Sequence, residues 1–263
     1  MAIYVHMNVP SRAMRMAANV SVLIPDVPLK KDPEKGCQKF QTLYLLHGFT
    51  GDHLSWLRGT SIERYADEHQ ILTVMPSAYN SAYTDMKYGL PYFTYISEEL
   101  PEMVERLFPS SPRRQDRFVS GMSMGGYGAY KLGLSCPDRF AAIGGIAGSY
   151  HAEYRYQGKV NTVATLCEAL YGDPPQITPE VHDIFTMLEN LKKSGADIPR
   201  LYTCCGTEDR RHQDSVDLKE FADRIGVPLT FEEGHGQHNN EYFDKSIRRV
   251  LEWMEPAGHP VYV

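Results

Sequence analysis

What this chain of 263 residues has little of narrows its class first. It has no excess of positive charge: 27 Lys and Arg stand against 33 Asp and Glu, a net charge of -6. A nucleic-acid footprint is normally basic, so no nucleic-acid partner is expected. The doublets Arg113-Arg114, Arg210-Arg211 and Arg248-Arg249 are isolated and read as solvated surface. No stretch approaches the ~18 apolar residues that a membrane span requires, so no membrane partner is expected either. The N-terminus lacks a basic region followed by an apolar core and a small-residue cleavage site. Cysteine is scarce, and Cys37, Cys136, Cys167, Cys204 and Cys205 form an odd, scattered set without a C-x-x-C pair. Such a set reads as reduced thiols, and cytoplasm is the expected location. Internal repeats, low-complexity tracts and long polar linkers are missing as well.

What is there is an alternation of short apolar runs and helical segments. Hydrophobic residues make up 42% of the chain, enough to cover a sheet on two faces. Residues 2–60 read as strands and turns. Within them 18–25 is β-branched, 30–36 is a charged turn, and 43–46 (LYLL) is apolar throughout, as a strand covered on both faces should be. Strand patterns recur at 71–75, 117–120, 140–146, 199–205 and 229–232. Helical patterns fall at 61–69, 98–108, 126–134, 214–225 and 242–254. Strands separated by helices predict an α/β fold, a mostly parallel central sheet with helices on both faces. No domain boundary is evident, so residues 1–263 are expected to form a single domain. The stretch 159–194 lacks a strand pattern and predicts a helical lid or side layer at about 150–198.

The segment with the most chemistry is Val119-Ser120-Gly121-Met122-Ser123-Met124-Gly125-Gly126. It places G-x-S-x-G between an apolar strand and a helical pattern, the context of a nucleophile elbow. A tight strand-to-helix turn exposes the Ser123 hydroxyl, and side chains at 121 and 125 would obstruct the crossing. The helix points its positive end at the reacting centre, and the Met124 N–H can donate to a developing oxyanion. A second donor is needed, because losing one typically costs ~10²–10³ in turnover. His47-Gly48-Phe49, where the 43–46 strand ends, is in the right place, and the backbone N–H of Phe49 is the candidate. His47 reads as a structural histidine.

An acid and then a histidine should follow the nucleophile. The run Cys205-Gly206-Thr207-Glu208-Asp209 ends a late strand in carboxylates, with Asp209 preferred and Glu208 the alternative. The loop Gly234-His235-Gly236-Gln237-His238 offers two imidazoles. His238 is preferred because it lies nearer the final helix, and His235 stays the alternative. An H-x-x-H pair also suits metal, but no acidic or cysteine partner has suitable spacing. Neither a metal nor a cofactor is expected.

Taken together these residues resemble the esterase D family, most closely its tributyrin-esterase-like branch. The matching strings run from 43–48 (LYLLHG, with Trp56) through 75–77 (MPS), 83–86 (YTDM), 95–101 (YISEELP), 121–130 (GMSMGGYGAY) and 137–140 (PDRF) to 205–209 (CGTED) and 236–244 (GQHNNEYFD). The resemblance implies an α/β-hydrolase fold and hydrolysis of short acyl esters. It implies Ser123, Asp209 and His238 as a triad, with the Phe49 and Met124 amides as oxyanion hole. The family includes acyl hydrolases acting on formylglutathione, simple esters and acylated plant carbohydrates, and it is similar to mycolyl-transferring enzymes. S-formylglutathione hydrolase and acyltransferase therefore stay open as alternatives to a simple or carbohydrate-linked esterase. One departure stands out: the branch carries an aromatic residue as G-x-H-x-W, and here Asn239-Asn240 occupy that place.

Residues 79–95 hold Tyr79, Tyr83, Tyr88, Tyr92, Phe93 and Tyr95, amphipathic rings suited to sugar or aryl groups. Trp56, Tyr83 and Tyr92 are the pocket candidates, with packing in the core as the competing role. The expected partner is a small-molecule or carbohydrate ester, and the sequence leaves room for a homo-oligomer.

Overall fold

The computed structural model describes residues 1–151 and 161–263, with 161–165 described by backbone alone. Eleven strands follow in chain order among these residues: β1 (Ile3–Ser11), β2 (Met16–Ile24), β3 (Lys31–Asp32), β4 (Gly36–Lys39), β5 (Thr42–Leu46), β6 (Leu72–Pro76), β7 (Arg117–Met122), β8 (Ala142–Ile146), β9 (Arg200–Gly206), β10 (Leu229–Gly234) and β11 (Val261–Tyr262). Eight of them form one sheet in the order β1-β2-β6-β5-β7-β8-β9-β10. β1, β2 and β6 pair antiparallel, and every pair from β6 to β10 is parallel. With helices on both faces this is the α/β-hydrolase fold.

The apolar runs are continuous because both faces are covered. In β5 the side chains alternate between two cores: Tyr44 and Leu46 enter one cluster, Leu43 and Leu45 the other. The first core takes Tyr127 and Tyr130 from the helix Met124–Ser135 and Leu218 from the helix His212–Arg224. The second takes Trp56, Ile62 and Tyr65 from short helices after β5, and Ile247 and Leu251 from the final helix Asn240–Met254. β1 is an edge strand, largely exposed, with a proline near its end.

Several expected elements take a more particular form. The charged turn at 30–36 closes a hairpin of β3 and β4, onto which β11 adds a third strand. The helix expected from 98 begins as a π-helical turn, Tyr95–Glu99, and becomes α-helical over Leu100–Leu107. Pro101 is the cause: it has no N–H and its ring crowds the carbonyl four residues back. That carbonyl, on Ser97, accepts the Arg139 guanidinium instead. The helical lid or side layer expected at about 150–198 falls partly on 152–160, outside the described residues. Beyond them it contains the helices Asn161–Tyr171, Pro179–His182 and Ile184–Ser194. Ile184 and Leu188 enter the first core, and the Tyr127 hydroxyl donates to the His182 carbonyl at 2.8 Å. No helix among the described residues is long and apolar enough to cross a membrane.

Candidate active site

The site lies where β5, β7, β9 and β10 end. β7 runs into Ser123, whose backbone sits at φ 56°, ψ -117°, before the helix opens at Met124. A non-glycine residue at positive φ is strained by about 1–3 kcal/mol and persists only where its surroundings force it. Here the forcing is main chain against main chain. A Cβ on Gly121 would stand 2.3 Å from the Gly125 carbonyl oxygen, and one on Gly125 would stand 2.2 Å from that of Leu46. The Ser123 N–H is anchored on the Ile146 carbonyl at 2.7 Å.

Two loops bring the partners. After β9, Asp209 closes a turn by donating its N–H to Gly206 O at 3.0 Å. The loop after β10 lies against it, with Thr207 N–H on Gly234 O at 2.9 Å and Glu208 N–H on Gly236 O at 3.1 Å. Pinned together, the loops set His238 between Asp209 and Ser123. His238 Nδ1 donates to Asp209 Oδ2 at 2.7 Å, and the Ser123 hydroxyl faces His238 Nε2 at 2.9 Å. The Asp209 side chain has no exposed surface, and its other oxygen accepts the Arg211 N–H at 2.8 Å. A hydroxyl facing an imidazole that a carboxylate orients can be deprotonated as it attacks.

The alternative acid and base form a second, separate pair. His235 Nδ1 lies 2.7 Å from Glu208 Oε1, with the His235 side chain 94% exposed. The Gly236 N–H and the His235 imidazole hold the Glu208 carboxyl below its usual range. The H-x-x-H imidazoles thus each have a carboxylate of their own. Among the described residues no cluster of three or more His, Cys, Asp or Glu is placed to hold a metal.

The loop after β5 crosses the front of the elbow. A Cβ on Gly48 would lie 3.4 Å from Ser123 Cβ. His47 is buried and used at both ring nitrogens, donating from Nδ1 to Gly48 O at 2.7 Å and accepting the Ala78 N–H on Nε2 at 2.9 Å. Burial lowers its pKa to about 4, so the ring is neutral. A trans peptide points its C=O and N–H in opposite directions. Holding Gly48 O therefore sets the direction of the Phe49 N–H. Met124 is the first residue of its helix, so its N–H has no intrahelical acceptor.

A cleft of about 420 Å³ opens beside Ser123 and His238, walled by Phe49, Arg58, Met122, Arg210, Asn240 and Phe243 among others. The structure does not bring Trp56, Tyr83 or Tyr92 to this wall. Trp56 is 1% exposed in the second core, its indole N–H on Leu46 O at 3.0 Å. The Tyr83 ring lies over Gly128, and its hydroxyl donates to His47 O at 2.8 Å. Tyr92 is buried, edge-on to Tyr79. These rings fill the core, the role that the sequence held at least as strongly as pocket lining. Most of the arginine doublets are ion-paired surface: Arg113 with Asp116, Arg114 with Asp197, Arg248 with Glu252 and Arg249 with Glu232. Arg210 differs, lying on the cleft wall. Its position directly after Asp209 was the signal available in the sequence.

A parallel sheet carrying a strained serine at a strand-to-helix elbow, with an imidazole and a carboxylate behind it, defines an α/β-hydrolase. Comparison with known proteins places the chain within that class. Residues 11–254 match the family model described as "Putative esterase", and the chain belongs to that family. It is 30% identical over 250 residues to an acetyl esterase of Caldicellulosiruptor saccharolyticus, covering 89% of this chain and 90% of that protein. Among solved structures it superposes with a TM-score of 0.89 on FphF, a fluorophosphonate-binding serine hydrolase of Staphylococcus aureus, at 34% identity over 96% of this chain and 98% of that one. It superposes with a TM-score of 0.86 on the S-formylglutathione hydrolase FrmB of S. aureus, also at 34% identity, over 97% and 99% of the two chains. The protein is a carboxylic ester hydrolase.

Proposed function

We propose that this esterase acts on short-chain acyl esters, simple or carbohydrate-linked, through an acyl-enzyme on Ser123. The observation that carries the proposal is the connected path from Asp209 through His238, 2.7 Å and 2.9 Å, to the Ser123 hydroxyl. His238 takes the Ser123 proton as Oγ attacks the ester carbonyl. The tetrahedral oxygen rests on the Phe49 and Met124 N–H groups, and Asp209 stabilises the imidazolium. His238 then protonates the departing alcohol, and a water deprotonated by the same imidazole releases the acid. No cofactor enters. The whole chain, 1–263, acts as one hydrolase domain, with the helices between Asn161 and Ser194 as its lid or side layer. The cleft beside Ser123 offers about 420 Å³ for the acyl group and the leaving group together, which supports a short acyl group over a long one.

Fluorophosphonate labelling tests the reading, since the relative FphF binds that reagent. The wild-type chain is expected to label on the peptide containing Ser123, and folded Ser123→Ala is expected to show no label; a labelled Ser123→Ala chain would refute it. Nitrophenyl acetate and butyrate should exceed the decanoate and palmitate in kcat/KM, and a maximum at palmitate contradicts the acyl-chain assignment. The likeness to FrmB supports a second reading, S-formylglutathione hydrolysis, which relative rates on formylglutathione and acetylated sugars separate from the first. Transfer of the acyl group to an alcohol is read from products formed with added acceptor sugar.

A further inference from the structure

We infer that the leaving-group side of the cleft is a subsite for an anionic leaving group, an alcohol or thiol bearing a carboxylate or phosphate, and that Arg210 reads its charge. The inference rests on the hydrolase reading above, because it takes the leaving atom to depart toward His238. A leaving oxygen or sulfur must come within hydrogen-bond reach of the imidazole that protonates it. What flanks His238 is therefore what the leaving group meets: Arg210 next to Asp209, and Asn240 and Phe243 just beyond the histidine. Phe243 stands edge-on to the imidazole at 5.1 Å.

Two guanidinium groups belong to this wall, and they are not equivalent. Arg58 is bound to Asp52 at 2.6 Å. Arg211, the sequence neighbour of Arg210, is paired with Asp214 at 3.5 Å and is not part of the wall. Among the described residues the Arg210 side chain makes no ion pair or hydrogen bond. Nor do the nearest carboxylates in sequence neutralise it: Asp209 is closed off behind His238, and Glu208 is held by His235 and the Gly236 N–H. Position 240 adds to this. Asn240 presents a carboxamide on this wall, packed so closely on Gly59 that a Cβ on Gly59 would meet it at 2.9 Å. The wall beside the imidazole is thus polar and positive, on a chain whose net charge is -6. A local cation in a cleft raises the concentration of an anion that the rest of the surface repels.

The test uses two acetyl esters of matched shape, 4-acetoxybenzoate and 4-acetoxybenzamide, whose leaving phenols have similar acidity and differ in charge. At low ionic strength the wild-type enzyme is expected to favour the benzoate by about threefold to fivefold in kcat/KM, the range of one exposed ion pair. High salt should erase most of the preference. Arg210→Ala should bring the ratio to about one, and Arg210→Glu should invert it. Arg211→Ala, altered off the wall, should keep the wild-type ratio. With 4-acetoxyphenyl phosphate in place of the benzoate, the larger of the two preferences tells a phosphate reader from a carboxylate reader, and either preference over the amide supports the subsite. A wild-type ratio near one for both anions, a preference unmoved by Arg210→Ala, or an equal change in Arg211→Ala overturns it. Failure of the hydrolase reading would look different, as no turnover of either ester.

Discussion

His47 shows how much one side chain settles in this molecule. It spends one ring nitrogen on the Gly48 carbonyl and the other on the Ala78 N–H, and burial keeps it neutral down to about pH 4. In the unfolded chain a histidine takes its proton near pH 6.5. Between those values the unfolded state binds more protons, so the stability owed to His47 is full above about pH 6.5 and lost as pH falls toward 4, by roughly 3 kcal/mol in all. Denaturation of wild type and His47→Gln at about pH 7.5 and about pH 4.5 should show the gap between them narrowing on the acid side; a constant gap contradicts the assignment. At the acid position, Asp209→Ala is expected to lower kcat by roughly 10³–10⁴ while Glu208→Gln changes it little. The reason is that Glu208 orients His235, whose ring is not the one facing Ser123. The sequence carried the order serine, acid, histidine and a preference for Asp209 and His238 with Glu208 and His235 as alternatives; that the alternatives form a pair of their own is visible only in the hydrogen bonds between two loops.

At the scale of elements, the strands were legible for a physical reason: β5 to β8 are covered on both faces and so read as short, mostly apolar runs without a two-residue alternation. The elbow was legible too, since its glycines sit where main chain crosses main chain. Gly125→Ala should displace β5 or the helix Met124–Ser135 and cost roughly 1–3 kcal/mol. A lowered denaturation midpoint together with slower fluorophosphonate labelling is the expected result, and an unchanged labelling rate contradicts the crossing argument. Less legible were elements defined by their contacts. The π-helical turn at Tyr95–Glu99 depends on where the Ser97 carbonyl finds a donor, and that donor, Arg139, is 42 residues away. The cleft wall was the least legible part. Trp56, Tyr83 and Tyr92 are aromatic residues near the right motifs, yet all three are buried, and Trp56 and Tyr83 donate their polar tips to main-chain carbonyls there. Arg58, Arg210 and Asn240 are polar residues on loops and helix ends, and sequence offers no period by which to rank them.

For the molecule as a whole, the two ends of the sheet are occupied by different tasks. The strands of the parallel region end at Ser123, Asp209 and His238, while the small sheet of β3, β4 and β11 adjoins the opposite end, where β4 leads into β5. Removing residues 260–263 takes away the pairing of β11 with β4 and the Val263 N–H bond to Cys37 O at 3.1 Å. Losing about 1–2 kcal/mol of such bonds should lower Tm by roughly 2–4 °C. Esterase kcat should be retained, and a large loss of kcat at unchanged Tm contradicts this separation. A comparable separation exists within the site. Ser123 is placed by glycine backbone lying against the carbonyl groups of Gly125 and Leu46. Three residues of the cleft wall, Arg58, Arg210 and Asn240, stand outside that crossing. Appetite and chemistry are therefore expected to be separately editable in this framework: exchanges at positions 58, 210 and 240 should change which esters are accepted while Ser123 keeps its place in the elbow.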